Sequence, residues 1–298
     1  MLDHVSNSEV QVWKRCKRRW WLSYVQQLEP RDAKFRLPLV VGQLTHAGLD
    51  SYYMSEEFRT AESALAGVAR ERDSLMEVYT AEADSEALSK AYLQAHVLVE
   101  NYVAWVEASG ADLDITVIES ERWLTARLTA STELLGRIDV SVKYNQELTF
   151  MEHKTSGNVN ELISTLSQQE QVLSYMLLSQ AHTSRWARTV RWRNAQAIVN
   201  VLDKRAGREP TRVMVYHSAE ELSSFCTRLC ATAREIERTK RKLERAPTSH
   251  HVVAPPNPQA DCRWSCEFAQ VCPLLNDTRD HGFAALEDLY VKKQRRNI

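Results

Sequence analysis

No run of 18 apolar residues occurs in this 298-residue chain, so no segment reads as a membrane span. Its opening, MLDHVSNSEVQVWKRCKRRWW, lacks the apolar middle of a secretory leader, which makes the cytoplasm the expected compartment. Surplus charge is missing as well: 38 Lys and Arg against 39 Asp and Glu leave a net charge of −1. Any contact with nucleic acid must therefore come from local basic patches, not from the field of the whole protein. A GxxxxGK[ST] loop is absent, so the chain cannot by itself drive unwinding with ATP. What is present is apolar material for a core, 44% of residues, in a length that suits one large domain or two small ones.

The stretch from Gly136 to Thr155 organises the rest. Asp139 sits in one apolar run (Leu134, Leu135, Ile138, Val140, Val142), and Glu152 and Lys154 end a second (Leu148, Phe150). The polar break Tyr144-Asn145-Gln146-Glu147 between them predicts a hairpin of two antiparallel strands. Residues two apart on a strand share a face, so Glu152 and Lys154 point the same way, with Asp139 close across the ladder. Two converging carboxylates are costly without a cation, and hard divalent ions such as Mg or Mn prefer oxygen ligands. The charged lysine cannot ligate that ion, but it can hold a water or a phosphate oxygen beside it. This layout suits metal-assisted hydrolysis of a phosphodiester. The plain alternative is a surface hairpin with charges on its wet face.

Ser6-Asn7-Ser8 starts a helix in which Val10, Trp13, Cys16 or Lys17, Trp20, Trp21 and Tyr24 recur at three- and four-residue steps. Lys14, Arg15, Lys17, Arg18 and Arg19 fill the remainder. Either this helix contacts a phosphate backbone and Cys16 ligates a metal, or it is a solvated helix with a buried cysteine. Residues 30–38 form a connector. A helix over 39–54 follows, where His46 lies among Leu44, Leu49 and Tyr52 as a core residue or a ligand. Residues 58–79 and 82–109 read as long amphipathic helices, the second capped by Gly110.

The run from Ile115 predicts a strand pair or a bent strand, with Glu121 two residues before Trp123. A helix over 159–180 puts Gln171 and Tyr175 on one face, at the surface or looking over the carboxylates. Arg185, Arg188, Arg191 and Arg193 then interleave with Trp186 and Trp192, as stacking platforms for single-stranded nucleic acid or as a basic surface helix. Strands over AQAIVNVL and RVMVYHS precede a helix over 219–245 with a basic end, in which Cys226 and Cys230 are core cysteines. Residues 282–298 read as a last helix with a basic end.

Six cysteines in a reducing compartment point to metal, not to disulfides. Cys262, Cys266 and Cys272 are spaced C-x3-C-x5-C and followed by proline. A tetrahedral or cubane site wants a fourth thiolate, and Cys16 is the natural candidate. The spacing is wider than that of most zinc knuckles, which favours iron–sulfur over zinc; unliganded surface thiols are the remaining alternative.

Together these motifs resemble the RecB-like nucleases of the PD-(D/E)XK superfamily that carry an iron–sulfur cluster, among them AddB-type nuclease domains, the CRISPR-associated Cas-four family and phage relatives. Cys16 with its Arg- and Trp-rich helix resembles the family's opening. VGQLTHAGLD resembles its histidine motif, GRID its aspartate motif, MEHKT its E-x-K motif and QVLSY its Q-x3-Y motif. C-x3-C-x5-CP is similar to its C-terminal cysteine triplet.

The resemblance implies that His46, Asp139 and Glu152 ligate Mg or Mn, with the His153 backbone carbonyl adding an oxygen. It implies that Lys154 positions the attacking water and that Gln171 and Tyr175 orient substrate or neighbouring groups. Glu121 matches an acidic position before the aspartate motif in some relatives. Cys16, Cys262, Cys266 and Cys272 would hold a 4Fe–4S cluster that joins the chain ends. The family's DYKT reads EHKT here, which keeps a carboxylate at Glu152 and turns the His153 ring to the opposite strand face.

The implied fold is α/β: a restriction-endonuclease-like core with a mixed central sheet flanked by helices, in a single domain over residues 1–298. Within it lie a basic helix over 1–30, a helical region over 39–110, a sheet core over 115–217 and a cysteine segment over 255–275. The implied activity is a metal-dependent DNA exonuclease on single-stranded or ended DNA, in a bacterial or phage-infected cell. Its DNA contacts would be Lys14, Arg15, Arg18, Arg19, Arg188 and Trp192. Partners would be a recombinase, a helicase or a CRISPR integrase. A non-catalytic DNA-binding subunit is the second reading.

Overall fold

The structure, a computed structural model, describes residues 2–32, 35–54, 59–205, 207–276 and 281–293. In chain order its elements are β1 (Asp3–Ser6), α1 (Asn7–Arg15), α2 (Lys17–Trp20), a π-helical turn (Trp21–Val25), β2 (Leu28–Pro30), α3 (Leu37–Tyr53), α4 (Ala61–Met76), α5 (Glu82–Ser109), β3 (Ile115–Arg127), β4 (Thr132–Tyr144), β5 (Glu147–Ser156), α6 (Val159–Thr165), α7 (Glu170–Ala181), β6 (Ala195–Asp203), β7 (Thr211–His217), α8 (Ala219–Arg245), α9 (His250–Val253), α10 (Cys262–Ser265), α11 (His281–Leu289) and β8 (Tyr290–Lys292). The contacts divide the chain into two compact units. The larger comprises Phe35–Ala126 and Gly136–Phe225, the smaller Met1–Lys34, Arg127–Leu135 and Cys226–Ile298.

In the larger unit β3 pairs with β4, and β4 runs antiparallel to β5 from Tyr144↔Glu147 to Val140↔Met151. The hairpin closes through Asn145 and Gln146, whose φ values of 50° and 68° give the left-handed pair that matches strand twist. β5 then runs parallel to β6, from Met151↔Ile198 to Ser156↔Asp203, and the crossover that a parallel pair requires is made by α6 and α7. β7 closes this side antiparallel to β6. The mixed α/β sheet is the fold class expected from the sequence. Residues 197–203 of β6 are buried, which explains why AQAIVNVL shows an apolar run without alternation.

Helices α3, α4 and α5 supply the core. Leu44, Leu49, Val68, Val99 and Val103 pack with Val140, Met151, Ile198 and Leu202. Their close approach needs Gly48, where a Cβ would stand 2.6 Å from Val68 Cγ2 and 2.9 Å from Val99 Cγ2. Gly110 ends α5 at a φ of 64°, the left-handed cap that favours glycine.

In the smaller unit β1 lies parallel to the start of β4 (Asp3↔Thr132 to Ser6↔Leu135), and β2 pairs antiparallel with β8. Trp13 and Trp20 meet edge to face at 4.7 Å, and the Trp20 indole donates to Glu9 Oε1 at 2.9 Å. The Glu237 carboxylate accepts from the hydroxyls of Thr129, Ser131 and Thr132. Cys226 and Cys230 are buried one helical turn apart, with sulfurs at 4.0 Å.

Of the strand pair and the bent strand expected from Ile115 onward, the bent strand is found: residues 115–127 make one strand, kinked at Glu121 with a φ of 50°. Three local expectations are corrected. The arginine- and tryptophan-rich stretch after α7 is irregular apart from a short turn at Ala187–Thr189, because its residues lack a buried stripe at helical period. The first helix breaks at Cys16, whose φ of −159° and ψ of 113° are extended. The last helix stops at Leu289, where Tyr290 enters β8; residues 294–298 lie outside the described set. Among the described residues no helix is long and apolar enough to cross a membrane.

Candidate active site

Five elements of the larger unit bring the expected residues together. The β4–β5 ladder stops at Val140↔Met151, and the strands part beyond it. Asp139 fills the opening. Its Oδ2 accepts the His153 backbone N–H at 2.8 Å and lies 3.3 Å from His46 Nδ1 on α3. Strand alternation puts Glu152 and Lys154 on one face of β5, and α7 covers them. Lys154 Nζ donates to Glu152 Oε1 at 2.6 Å and to Gln171 Oε1 at 2.5 Å. Gln171 Nε2 donates to the same Glu152 oxygen at 3.0 Å and to the Tyr175 hydroxyl at 3.1 Å. Gly136 makes room for α7: a Cβ there would stand 2.5 Å from Leu178 Cδ1 and 3.1 Å from Tyr175 Cε1.

The kink in β3 adds an acid. Glu121 holds the left-handed conformation at a cost of about 1–3 kcal/mol, the kind of strain that persists where the surroundings over-determine it. His46, Glu121 and Asp139 each offer a ligand atom, and those atoms lie within 4.8 Å of one another. Glu152 stands just outside this group. One of its oxygens is held by Lys154 and Gln171, while Oε2 is buried without a hydrogen-bond partner.

The charges are unbalanced in an informative way. Burial, and then the Asp139 charge, pushes Glu152 up to about 7. Burial pushes Glu121 up to about 7 as well, against the pull of Arg137. Burial would raise Asp139 too, but His46 and the His153 N–H overcome it and hold that carboxyl at about 2. Burial opposes charge on His46, and Asp139 prevails, raising it to about 9. An imidazole, buried acids of elevated pKa and an unpartnered carboxylate oxygen fit a hard divalent ion, which would replace the protons.

His153 turns its ring away, as the alternation of β5 requires. The ring stacks on Tyr53 at 5.6 Å, meets Tyr102 edge-on at 5.5 Å, and burial lowers it to about 4. It stays neutral and leaves only its backbone to the site.

Residues 4–273 match the family model of the PD-(D/E)XK nuclease superfamily. The chain belongs to the PD-(D/E)XK nuclease superfamily. No curated protein matches it. Nucleases of this superfamily are metal-dependent, use Mg or Mn and act on DNA, which agrees with the donor set here.

Two neighbours of this PD-(D/E)XK site escaped the sequence reading. Arg137 pairs with Glu121 at 2.5 Å and stands 5.7 Å over the Trp123 ring, which is 48% exposed. The available signal was period two: Arg137 shares a face of β4 with Asp139.

The expected DNA contacts fare differently. Lys14 is exposed, as is Arg188, which stands 5.3 Å over the Trp186 ring; Trp192 is half-buried. Arg15 is bound to Asp261, and Arg19 to Glu267 at 2.7 Å. Arg18 is enclosed at 1% exposure, so it is not open to a DNA backbone.

In the smaller unit Cys16, Cys262, Cys266 and Cys272 are free and half-buried. Cys16 Sγ accepts the Asn257 N–H at 3.4 Å, and Cys262 Sγ accepts the Gln259 N–H at 3.2 Å. No three of these sulfurs lie within 4.8 Å of one another among the described residues.

Proposed function

We propose that this nuclease is an exonuclease that hydrolyses phosphodiester bonds of single-stranded or ended DNA. The observation that carries the reading is the parting of β4 from β5, which gathers His46 and Asp139 beside Lys154, itself held by Glu152 and Gln171. His46, Glu121, Asp139 and Glu152 would hold the Mg or Mn. When bound, that ion lowers the pKa of its water and offsets charge on the phosphorane. Lys154 would hold a scissile phosphate oxygen or the attacking water, with its ammonium aimed by Gln171. Tyr175 fixes the other end of that amide. Trp123 offers an exposed face to a base of a single strand, and Arg137 a cation beside it. This chemistry suits end processing in recombination, repair or CRISPR adaptation.

A labelled-end assay tests the reading. The substrates are 5′- and 3′-labelled single- and double-stranded DNA, with Mg, Mn or chelator, and Lys154→Ala runs beside the parent. Mononucleotide release that requires metal and disappears in Lys154→Ala is expected. Undiminished cleavage by that variant would overturn the site, and internal cuts alone would overturn the exonuclease assignment.

The four cysteines of the smaller unit form the second part of the proposal, a 4Fe–4S centre. Backbone N–H groups donate to two of the sulfurs, as they do around cluster ligands. Cys16, far away in sequence, lies near enough to Cys266 and Cys272 for its charge to act on theirs, which supports grouping it with them. A tetrahedral zinc would need its sulfurs about 3.8 Å apart, and no three of these sulfurs gather within 4.8 Å of one another among the described residues. A cubane places its irons between the thiolates and takes a wider set. Iron and sulfide analysis of anaerobically purified protein, with its visible charge-transfer absorbance, decides between the two metals.

A further inference from the structure

Arg18 lies on α2, two residues beyond Cys16, and is 1% exposed. Its Nε donates to the Ala254 carbonyl at 3.1 Å, and its Nη1 to the Cys272 carbonyl at 3.2 Å and to Asn276 at 3.5 Å. Nη2 is buried with no partner. The two arginines beside it in sequence have acids: Arg15 holds Asp261 and Arg19 holds Glu267. Among the described residues Arg18 has none. The sulfurs of Cys272 and Cys16 lie close enough to act on its charge, and Arg18 acts in turn on the His250 ring.

A guanidinium cannot shed its proton to escape burial. Buried charges are paired, because an isolated one forfeits its hydration without return. Three neutral acceptors satisfy part of the fork and supply no counter-charge. Neutral thiols would not supply it either. Metal-bound thiolates would, since coordination deprotonates a thiol outright. Four thiolates around a zinc ion or an oxidised 4Fe–4S core leave a net anion, and the free Nη2 belongs to a guanidinium that already donates to the backbone of one of the four cysteines.

We propose that Arg18 is the buried counter-ion of an anionic metal–thiolate centre on Cys16, Cys262, Cys266 and Cys272, retaining that centre and setting its reduction potential. The inference rests on the cysteine-centre reading above. A fixed cation favours the more negative, reduced form of a cluster and so raises its potential. The arginine of the basic helix is then a tuning residue of the centre.

The test uses the full chain, purified anaerobically, as parent, Arg18→Met and Arg18→Lys. Metal and sulfide per chain, the rate of metal loss to a chelator, and the midpoint potential in a dithionite titration are measured. Arg18→Met, of similar length and apolar, is expected to lose metal about 10- to 100-fold more readily, and any cluster it keeps should titrate at a more negative potential. Arg18→Lys, which keeps the charge, should retain metal at a parent-like potential. Parent-like retention and potential in Arg18→Met would overturn the proposal. If Arg18→Met does not accumulate, Arg18→Lys decides, since loss of metal from a folded lysine variant overturns the role of charge. Zinc in the parent would sink the cluster reading and leave metal retention to judge Arg18. A parent without metal overturns both.

Discussion

The Asp139 carboxylate accepts the backbone N–H of His153 at 2.8 Å, taking the place of a strand partner where the β4–β5 ladder ends. One residue therefore holds the sheet open and supplies a donor to the opening. The two roles separate by substitution. Asp139→Asn keeps an acceptor for the N–H but loses the charge that a metal and His46 require. It is expected to fold and to cut DNA at least about a thousandfold more slowly, the loss of several kcal/mol of metal-derived stabilisation. Asp139→Ala should lose the same activity and about 1–3 kcal/mol of stability, because the amide is left unpaired. Melting curves beside single-turnover cleavage check both, and an active Asn variant would refute the assignment.

Glu152 is 2% exposed, with one oxygen lacking a partner. Its pKa of about 7 in the fold exceeds the ordinary value of 4.5, so ionisation weakens the metal-free fold as pH rises from 4.5 to 7. Above that window the cost is complete. Glu152→Gln has no charge to bury. With chelator present and above pH 7 it should be about 1–3 kcal/mol more stable than the parent, while its cleavage is lost. Below pH 4.5 the gain should vanish. A variant less stable than the parent at high pH contradicts this account of the site.

Metal binding should be linked to protons. His46 is protonated up to about 9 beside Asp139, and Glu152 up to about 7. An ion needs a neutral imidazole and an ionised carboxylate, so it displaces protons on binding. Affinity for Mg or Mn should rise with pH through about 7 and level off above about 9. Without metal the His46–Asp139 pair works in the opposite sense. Its stabilisation is full between about 3.8 and 6.5, fades as pH rises through about 9 when His46 loses its proton, and is lost as pH falls through about 2 when Asp139 gains one. Calorimetric titration in buffers of different ionisation enthalpy measures the released protons, and an affinity flat across this range would count against His46 as a ligand.

Much of this was legible in the sequence because a polar break between two apolar runs marks a hairpin, although residues 149–153 of β5 are all buried. The alternation around Asp139, Glu152 and Lys154 placed them on their strands, and the sheet class followed. The i,i+4 pair Gln171 and Tyr175 was visible through the helical period instead. Backbone strain was not visible: nothing in ESERWL announces that Glu121 is left-handed and turns toward Asp139. The partners of charges were equally hidden, since Arg15, Arg18 and Arg19 read alike as basic residues. Their fates depend on Asp261, Ala254 and Glu267, more than 200 positions away.

Trp123 should matter to substrate and not to fold. Its exposed ring carries the Arg137 guanidinium beside the carboxylates. Trp123→Ala should weaken single-strand binding by about 1–3 kcal/mol, a base's stacking on an aromatic ring, and raise KM while kcat changes little. Trp123→Phe should recover most of the loss. Equal effects on single- and double-stranded substrates would argue against stacking.

Gly136 explains why a motif of four letters begins as it does. It lies three residues before Asp139, where the chain passes under α7. An added Cβ would meet Leu178 Cδ1 at 2.5 Å and Tyr175 Cε1 at 3.1 Å. The Leu178 side chain must turn aside and the Tyr175 ring must give by a few tenths of an ångström, and Gln171, one turn from Tyr175 and bonded to its hydroxyl, shifts with that ring. Gly136→Ala should therefore cost about 1–3 kcal/mol by overpacking. It should also slow cleavage, because the Gln171 contact that aims Lys154 is displaced although no metal ligand has changed. Metal affinity by calorimetry should stay near that of the parent, while kcat falls. If affinity and kcat fall together, the displacement reaches the carboxylates; if neither falls, α7 does not position the lysine.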